Sequence, residues 1–289
     1  MLLETGLPSG DRRWGLSGTA LKMIAMITML LDHIHYMFEF TGKVPLWLSQ
    51  LARISAPLFL FCVAEGFAHT RNRRRYFLRI YLIAALMGAV RYLMLMRAIP
   101  ARGDGFVPEN AILTTYALLL IIWQGFDELR ARRFVRGALL VAVPLAWRQA
   151  SLALIAAVPA LRIPVGFLCY TLLPAWGTSA DVGLPVLALG MVLYALREHR
   201  AWQMIGFAAV ALASDFALVW RLVSAWPGFE PMHMVTRYYQ WMEVFAIPLM
   251  LCYNGRRGRG YQRLFYAFYP GHVYALYALS CVVISATLK

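Results

Sequence analysis

Residues 21–40 read LKMIAMITMLLDHIHYMFEF. A run of this length and hydropathy predicts a membrane-spanning helix, since about 20 residues cross the hydrocarbon core. Yet Asp32, His33, His35 and Glu39 all sit in its outer half. A charged group near the bilayer centre costs about 3 kcal/mol or more unless a wet cavity or a partner receives it. A helix carrying such a group of side chains lines something. Helical spacing puts Thr28, Asp32, His35, Tyr36 and Glu39 on one side. His33 points about 160° away from His35, toward Met26, Met29 and Met37, so the two histidines are expected on different faces.

The rest of the chain belongs to the same class. Hydrophobic residues make up 61% and charged residues 15%, with a mean hydropathy of +0.60. Soluble domains average about 45–50% apolar and about 25% charged. Apolar runs of membrane-spanning length recur, and no ten-residue alternation suggests a β-barrel. The fold class expected is therefore all-α: a polytopic transmembrane helical bundle of about 9–11 transmembrane helices. Residues 1–18 read as a polar cytoplasmic tail and 19–289 as a single transmembrane domain. No cleavable signal peptide is expected, because the first apolar run is full length with no small-residue cleavage site after it.

The net charge of +14 does not point to nucleic acid. Most arginines lie in short loops beside apolar runs, where the positive-inside rule places them. The cluster Arg71-Asn72-Arg73-Arg74-Arg75 marks a cytoplasmic loop, and Arg130, Arg132, Arg133 and Arg136 mark another. The N-terminus is then cytoplasmic too. Spans are expected at about 19–40, 46–69, 77–97, 110–127, 182–197, 201–223, 237–253 and 264–287. Residues 137–176 are broken by Pro144, Pro164 and Pro174. The later basic clusters, Arg197/Arg200 and Arg256/Arg257/Arg259, stay cytoplasmic only if 137–176 crosses an odd number of times. One helix of about 24 residues plus a half-helix fits that length.

The four cysteines, Cys62, Cys169, Cys252 and Cys281, lie in apolar segments without a Cys-x-x-Cys pair, so neither a disulfide framework nor a metal site is expected. No zinc-ligand spacing, P-loop, nucleophile elbow or dinucleotide fingerprint occurs. The polar residues inside the spans carry the chemistry. Arg53 requires an anion, either a carboxylate such as Asp32 or a ligand phosphate. Glu65, near the cytoplasmic end of its span, has an ordinary reading as the partner of a basic loop residue. His272 follows Pro270, which removes an intrahelical hydrogen bond and can kink the last helix. Asp215 and Arg221, six apart, do not share a face and are expected to pair across helices. Asp32 and His33 are neighbours that do not face one another, so a third group or a substrate must join them.

Six stretches support a family resemblance. LKMIAMITMLLDHI at 21–34, ARISAPLFLFCVAEGFAHTRNRRRYFLR at 52–79, EVFAIPLMLCYNGRRGRG at 243–260 and LFYAFYPGH at 264–272 are the main ones. ENAILTT at 109–115 and SADVGLPVLALGMVLYALR at 179–197 match less closely. In this order they resemble the TraX family, whose founding activity is N-terminal acetylation of F-pilin. More distantly, the chain is similar to acyltransferase type 3 and heparan-glucosaminide acetyltransferase proteins, which place an essential histidine within the bundle. The resemblance implies an integral membrane acyltransferase of a bacterial cytoplasmic membrane, with acetyl-CoA as co-substrate and no metal. On that pattern His33 is the catalytic imidazole, with Asp32 beside it and His272 in the same site. His35 stands where the family has a small residue. Arg53, Glu65, His69, Arg71, Asn72 and Asn254 also match family motif positions.

Acyl transfer suits these residues. An amine or hydroxyl loses a proton as it attacks a thioester, and a neutral imidazole is a base near neutral pH. The CoA phosphates need cations on the cytoplasmic face, for which Arg71, Arg73, Arg74, Arg75 and Arg79, with Arg256, Arg257 and Arg259 opposite, are candidates. The acceptor left open is a peptide N-terminus, a sugar or a small molecule. A rival reading is a transporter or channel whose ion pathway is Asp32, Arg53, Arg91, Asp215 and Glu243. A third is a non-catalytic scaffold for surface-structure assembly.

Overall fold

The computed structural model describes residues 14–287. It is all-helical, with no strand among the described residues. Helix α1 runs Gly18–Phe38, capped by Ser17, whose hydroxyl accepts from the Ala20 N–H. A short α2 (Trp47–Ala52) leads into α3 (Ser55–His69), and α4 (Arg73–Leu95) and α5 (Ile112–Arg130) follow. Next come α6 (Phe134–Ala157), the half-length α7 (Arg162–Tyr170) and α8 (Leu184–Ala195). Helix α9 (Arg200–Ala211) passes through a π-helical stretch, Leu212–Leu218, into α10 (Val219–Val223). The chain ends with α11 (His233–Thr236), a 3₁₀ stretch (Tyr239–Ala246), α12 (Ile247–Leu251) and α13 (Gln262–Thr287).

Six of these helical stretches are long and apolar enough to cross a membrane: 47–69, 73–95, 112–130, 134–157, 200–223 and 262–286. With α1, which is as long but more polar, the protein is an integral membrane bundle. The sequence predicts nine full spans. The structure gives two of those, α8 and the 239–251 piece, as short or irregular helices. Residues 134–170 form one 24-residue helix and one 9-residue helix, the arrangement expected for an odd number of crossings.

All the basic clusters meet at one end. Arg73, Arg197 and Arg130 surround Asp127 at 2.7, 3.3 and 3.9 Å, and the Tyr194 hydroxyl donates to it at 2.8 Å. Arg133 and Arg136 pair with Glu128. Arg200 pairs with Glu65 at 3.3 Å, which answers for Glu65 by its ordinary reading. Three guanidinium groups around one carboxylate repel one another once it is neutral. Asp127→Asn is expected to lower the thermal midpoint of the detergent-purified protein, at a cost of about 2 kcal/mol. An unchanged midpoint would show the network to be energetically idle.

Of the expected polar tail, residues 1–13 lie outside the described residues. Residues 14–18 depart from the expectation of a loose leader. Leu16 N–H donates to Cys252 O and Asn254 N–H to Leu16 O, at 2.8 and 3.0 Å. Gly18 and Thr19 N–H groups bond Arg256 and Arg257 carbonyls. This clamp holds the start of α1 against the 252–260 loop. At Gly258 (φ +75°) a Cβ would lie 2.6 Å from Ser17 Oγ, so only glycine fits there.

The core runs between α1, α3, α5 and α8. Trp123 stacks on Tyr194 at 5.0 Å and donates its indole N–H to Gly190 O. Helix α6 lies outside it, with Val135, Leu139, Val143 and Leu152 exposed to where lipid would be. The end opposite the basic clusters is closed by residues 96–111. There Arg102 donates to Met37 O at 2.7 Å and pairs with Asp104, and Tyr277 OH accepts from the Arg102 N–H. Arg102 holds the Asp104 carboxyl below the usual carboxylate range.

Candidate active site

A cavity of about 810 Å³ opens among α1, α2, α3, the π-helical stretch and the 3₁₀ stretch. Its polar wall is built on Arg53. Arg53 lies at the α2–α3 junction and pairs with Asp32 through Nη2. Ser49 Oγ donates to the same Asp32 oxygen at 2.6 Å, and Arg53 Nε donates to Ser49 O at 3.0 Å. Arg53 Nη1 donates to Gln240 Oε1 at 2.9 Å, and the Tyr239 hydroxyl donates to Ser49 Oγ. The anion that Arg53 requires is thus Asp32. Burial makes this pair consequential, because both side chains are only about a quarter or less exposed.

Two departures from regular α-helix shape the opposite wall. Residues 239–246 are expected to be α-helical but form a 3₁₀ helix. In a 3₁₀ helix i and i+3 eclipse, which stacks Gln240 over Glu243, with Gln240 Nε2 donating to Glu243 Oε2 at 3.3 Å. In the π-helical stretch, Ser214 Oγ donates back to Val210 O at 2.9 Å and competes with the backbone ladder. Asp215 projects from there onto the cavity beside Glu243. Across helices, Asp215 therefore meets a second carboxylate.

His33 and His272 meet. Their rings lie 4.8 Å apart, edge to face, with His272 Nε2 3.4 Å from His33 Nδ1. His33 Nδ1 is 2.9 Å from Met29 O and His272 Nδ1 is 2.7 Å from Phe268 O. A carbonyl only accepts, so each Nδ1 carries the hydrogen. The lone pair of neutral His33 is then on Nε2. Helix α13 runs through Pro270 as one element, so His272 is held by helical register rather than by a broken turn. Asp32, His33 and His35 all line the one cavity, which reaches around α1. The two histidines thus reach one cavity from different faces of the helix.

Several cavity residues were missed by sequence reasoning. Ser49, Tyr239 and Gln240 carry no unusual signal in an apolar run. Asp181 was quoted within SADVGLPVLALGMVLYALR without a role. It lies in the turn before α8, accepts from Ala111 N–H at 3.2 Å, and lines the cavity. Burial pushes its carboxyl up, partly offset by that N–H and by nearby His33. Glu109 accepts from Ala180 N–H at 3.1 Å and also lines the cavity. The two weaker family stretches, 109–115 and 179–197, thus meet at one wall. Their joint signal was the pair of acidic residues flanking short helix starts.

The expected CoA-binding residues lie elsewhere, except Arg53. Glu65, His69, Arg71, Asn72, Arg75, Asn254, Arg256 and Arg257 belong to the basic end and do not line the cavity. Asn72 caps α4, accepting from Arg75 N–H at 2.8 Å. Asn254 Oδ1 accepts from Arg256 N–H and its Nδ2 donates to Gly15 O, so it shapes the 252–260 loop. His69 Nδ1 bonds Glu65 O at 2.9 Å. Along α1, His33 is about 22 Å from Gly18. Fully buried Leu21, Ala25, Leu58 and Phe61 fill the space between. Among the described residues no cluster of His, Cys, Asp or Glu could hold a metal ion.

The arrangement offers the His33 imidazole with its Nδ1 bonded to Met29 O, a guanidinium and several carboxylates around one polar chamber. Comparison with known proteins places it in context. A family model described as TraX protein matches residues 17–280. A probable fimbrial assembly protein FimC, serogroup H1, of Dichelobacter nodosus is 36% identical over 74 residues. That match covers 24% of this chain and 29% of the fimbrial protein, less than a third of either. No solved structure matches.

Proposed function

The chain belongs to the TraX family, and on that premise we propose that it is a membrane-embedded acyltransferase that moves an acetyl group from acetyl-CoA to an amine or hydroxyl acceptor. His33 is the general base. The acceptor nitrogen or oxygen attacks the thioester carbonyl, its proton passes to His33 Nε2, the carbon–sulfur bond breaks, and the proton is returned to the CoA thiolate. The observation that carries this reading is His33 on the wall of a polar cavity with its Nδ1 bonded to Met29 O, which leaves Nε2 as the basic nitrogen of the neutral ring. Arg53 is suited to hold the developing oxyanion or an anionic part of the substrate.

The basic end faces the cytoplasm of a bacterial inner membrane by the positive-inside rule, and with it the N-terminus. Acetyl-CoA docks there on Arg71, Arg75, Arg256 and Arg257. The acceptor enters from the opposite end. The buried layer of Leu21, Ala25, Leu58 and Phe61 must part to admit the thioester. The likeness to a fimbrial assembly protein supports a pilus subunit as acceptor.

A second reading is favoured by the cavity's charge. Asp32, Glu39, Glu109, Asp181, Asp215 and Glu243 line it against Arg53 as the arginine among them, which suits a cation pathway. Purified protein with acetyl-CoA and a peptide amine separates the two. Release of free CoA with acetylated peptide is the expected result. Solute-coupled cation flux in proteoliposomes without CoA release would overturn the acyltransferase reading.

A further inference from the structure

A second, smaller pocket lies behind the wall built by residues 109–115, between α4, α5 and α7. It leaves about 10 Å³ in which the centre of a water-sized sphere can move, so a somewhat larger sphere also fits. Arg91, Asn110, Thr114 and Tyr170 line it, and Gly88 brings α4 and α7 together there, since a Cβ at Gly88 would meet Tyr170 O. Arg91 was expected as a charge inside its span, with no partner assigned.

Arg91 is 6% exposed. Its Nη2 reaches Glu109 at 3.5 Å, but Nε and Nη1 are buried without a hydrogen-bond partner. Asn110, 4% exposed, has its side chain beside the Tyr274 hydroxyl, which lies outside this pocket. The unmet groups that line the pocket are therefore the two guanidinium donors. Glu109 is a weak counter-ion, being 45% exposed and already accepting from Ala180 N–H. The Tyr170 ring, 5.5 Å from the guanidinium, offers its face, and its hydroxyl donates to Thr178 O. A water would accept two hydrogen bonds and leave the charge uncompensated. A spherical anion accepts from all the donors and neutralises the guanidinium.

We infer that this pocket is a binding site for one halide-sized monovalent anion, chloride being the abundant candidate, held by Arg91. The site is separate from the cavity of His33 and does not depend on acyl transfer. Its occupant braces α4 against α5 and α7, and through Arg91 orients Glu109 on the cavity wall.

The test is the thermal midpoint of the full-length detergent-purified protein in sodium chloride, sodium bromide and sodium gluconate at equal ionic strength. Chloride and bromide are expected to raise the midpoint by about 5–10 °C at a hundredfold excess over Kd, saturating with concentration. Equal midpoints in chloride and gluconate would overturn the inference, leaving a bound water. In Arg91→Gln the halide-dependent increment should vanish, and its retention would place the effect elsewhere and overturn the assignment. Should that variant fail to fold, crystals of the unaltered protein in bromide decide. An anomalous peak within hydrogen-bond distance of Arg91 Nε is expected, and its absence at saturating bromide refutes the site.

Discussion

His33→Ala is expected to abolish acetyl transfer while the protein still folds. The loss should be on the order of 10²–10⁴ in kcat, the usual contribution of a positioned general base. The fold should survive because His33 packs mainly through its ring edge against His272 and one hydrogen bond to Met29 O. His33→Gln is a sharper control. Its amide can still donate toward Met29 O but offers no basic nitrogen, so activity should stay lost while the thermal midpoint recovers. His272→Ala should have a smaller effect, since its Nε2 only accepts a long contact from His33 Nδ1–H at 3.4 Å. A positioning role predicts that its loss shows in kcat with KM for acetyl-CoA unchanged. Full activity in His33→Ala, measured as CoA release with acetylated acceptor, would remove His33 from the mechanism.

Breaking the Asp32–Arg53 pair is expected to have the largest effect on stability. Asp32→Ala strips a partly buried guanidinium of its counter-ion, which costs about 2–4 kcal/mol, somewhat below a fully buried pair because the cavity is wet. Arg53→Met costs less, because Asp32 keeps the Ser49 hydrogen bond at 2.6 Å. The double variant Asp32→Ala/Arg53→Met removes both charges and should be more stable than Asp32→Ala alone. Unfolding measurements on all four proteins close a double-mutant cycle. Strict additivity would show that the two side chains do not depend on one another. The same variants report on function: loss of transfer with a preserved midpoint in Arg53→Met would tie the guanidinium to catalysis rather than to folding.

Much of this architecture was legible in the chain. Apolar runs of membrane length, separated by arginine clusters, led to the helical bundle, to the shared side of those clusters and to the odd number of crossings in 137–176. The Asp32–Arg53 pair was legible because an intramembrane guanidinium demands an anion and few are available. The resemblance put His33 and His272 in one site, but their ring contact, across 239 residues of chain, was not legible. Period and composition say nothing about which helix packs against which. The irregular stretches were not legible. Residues 239–246 read as an ordinary apolar helix, and nothing in a local window shows that a 3₁₀ turn aligns Gln240 with Glu243.

The opening stretch shows where the division falls. By itself, the sequence of residues 21–40 determined that a membrane helix carries ionisable groups in its C-terminal half, because side-chain chemistry and the bilayer's thickness are local constraints. The angle between His33 and His35 followed from the same local geometry. The tertiary structure decided that both histidines line a single cavity, because α2, α3 and α13 pack around α1 and leave a chamber wider than one helix face. It also decided that Arg53 faces Asp32 while the basic clusters lie at the far end of α1. Contacts between distant helices depend on packing and on chain path, and no local pattern in the residues carries that information.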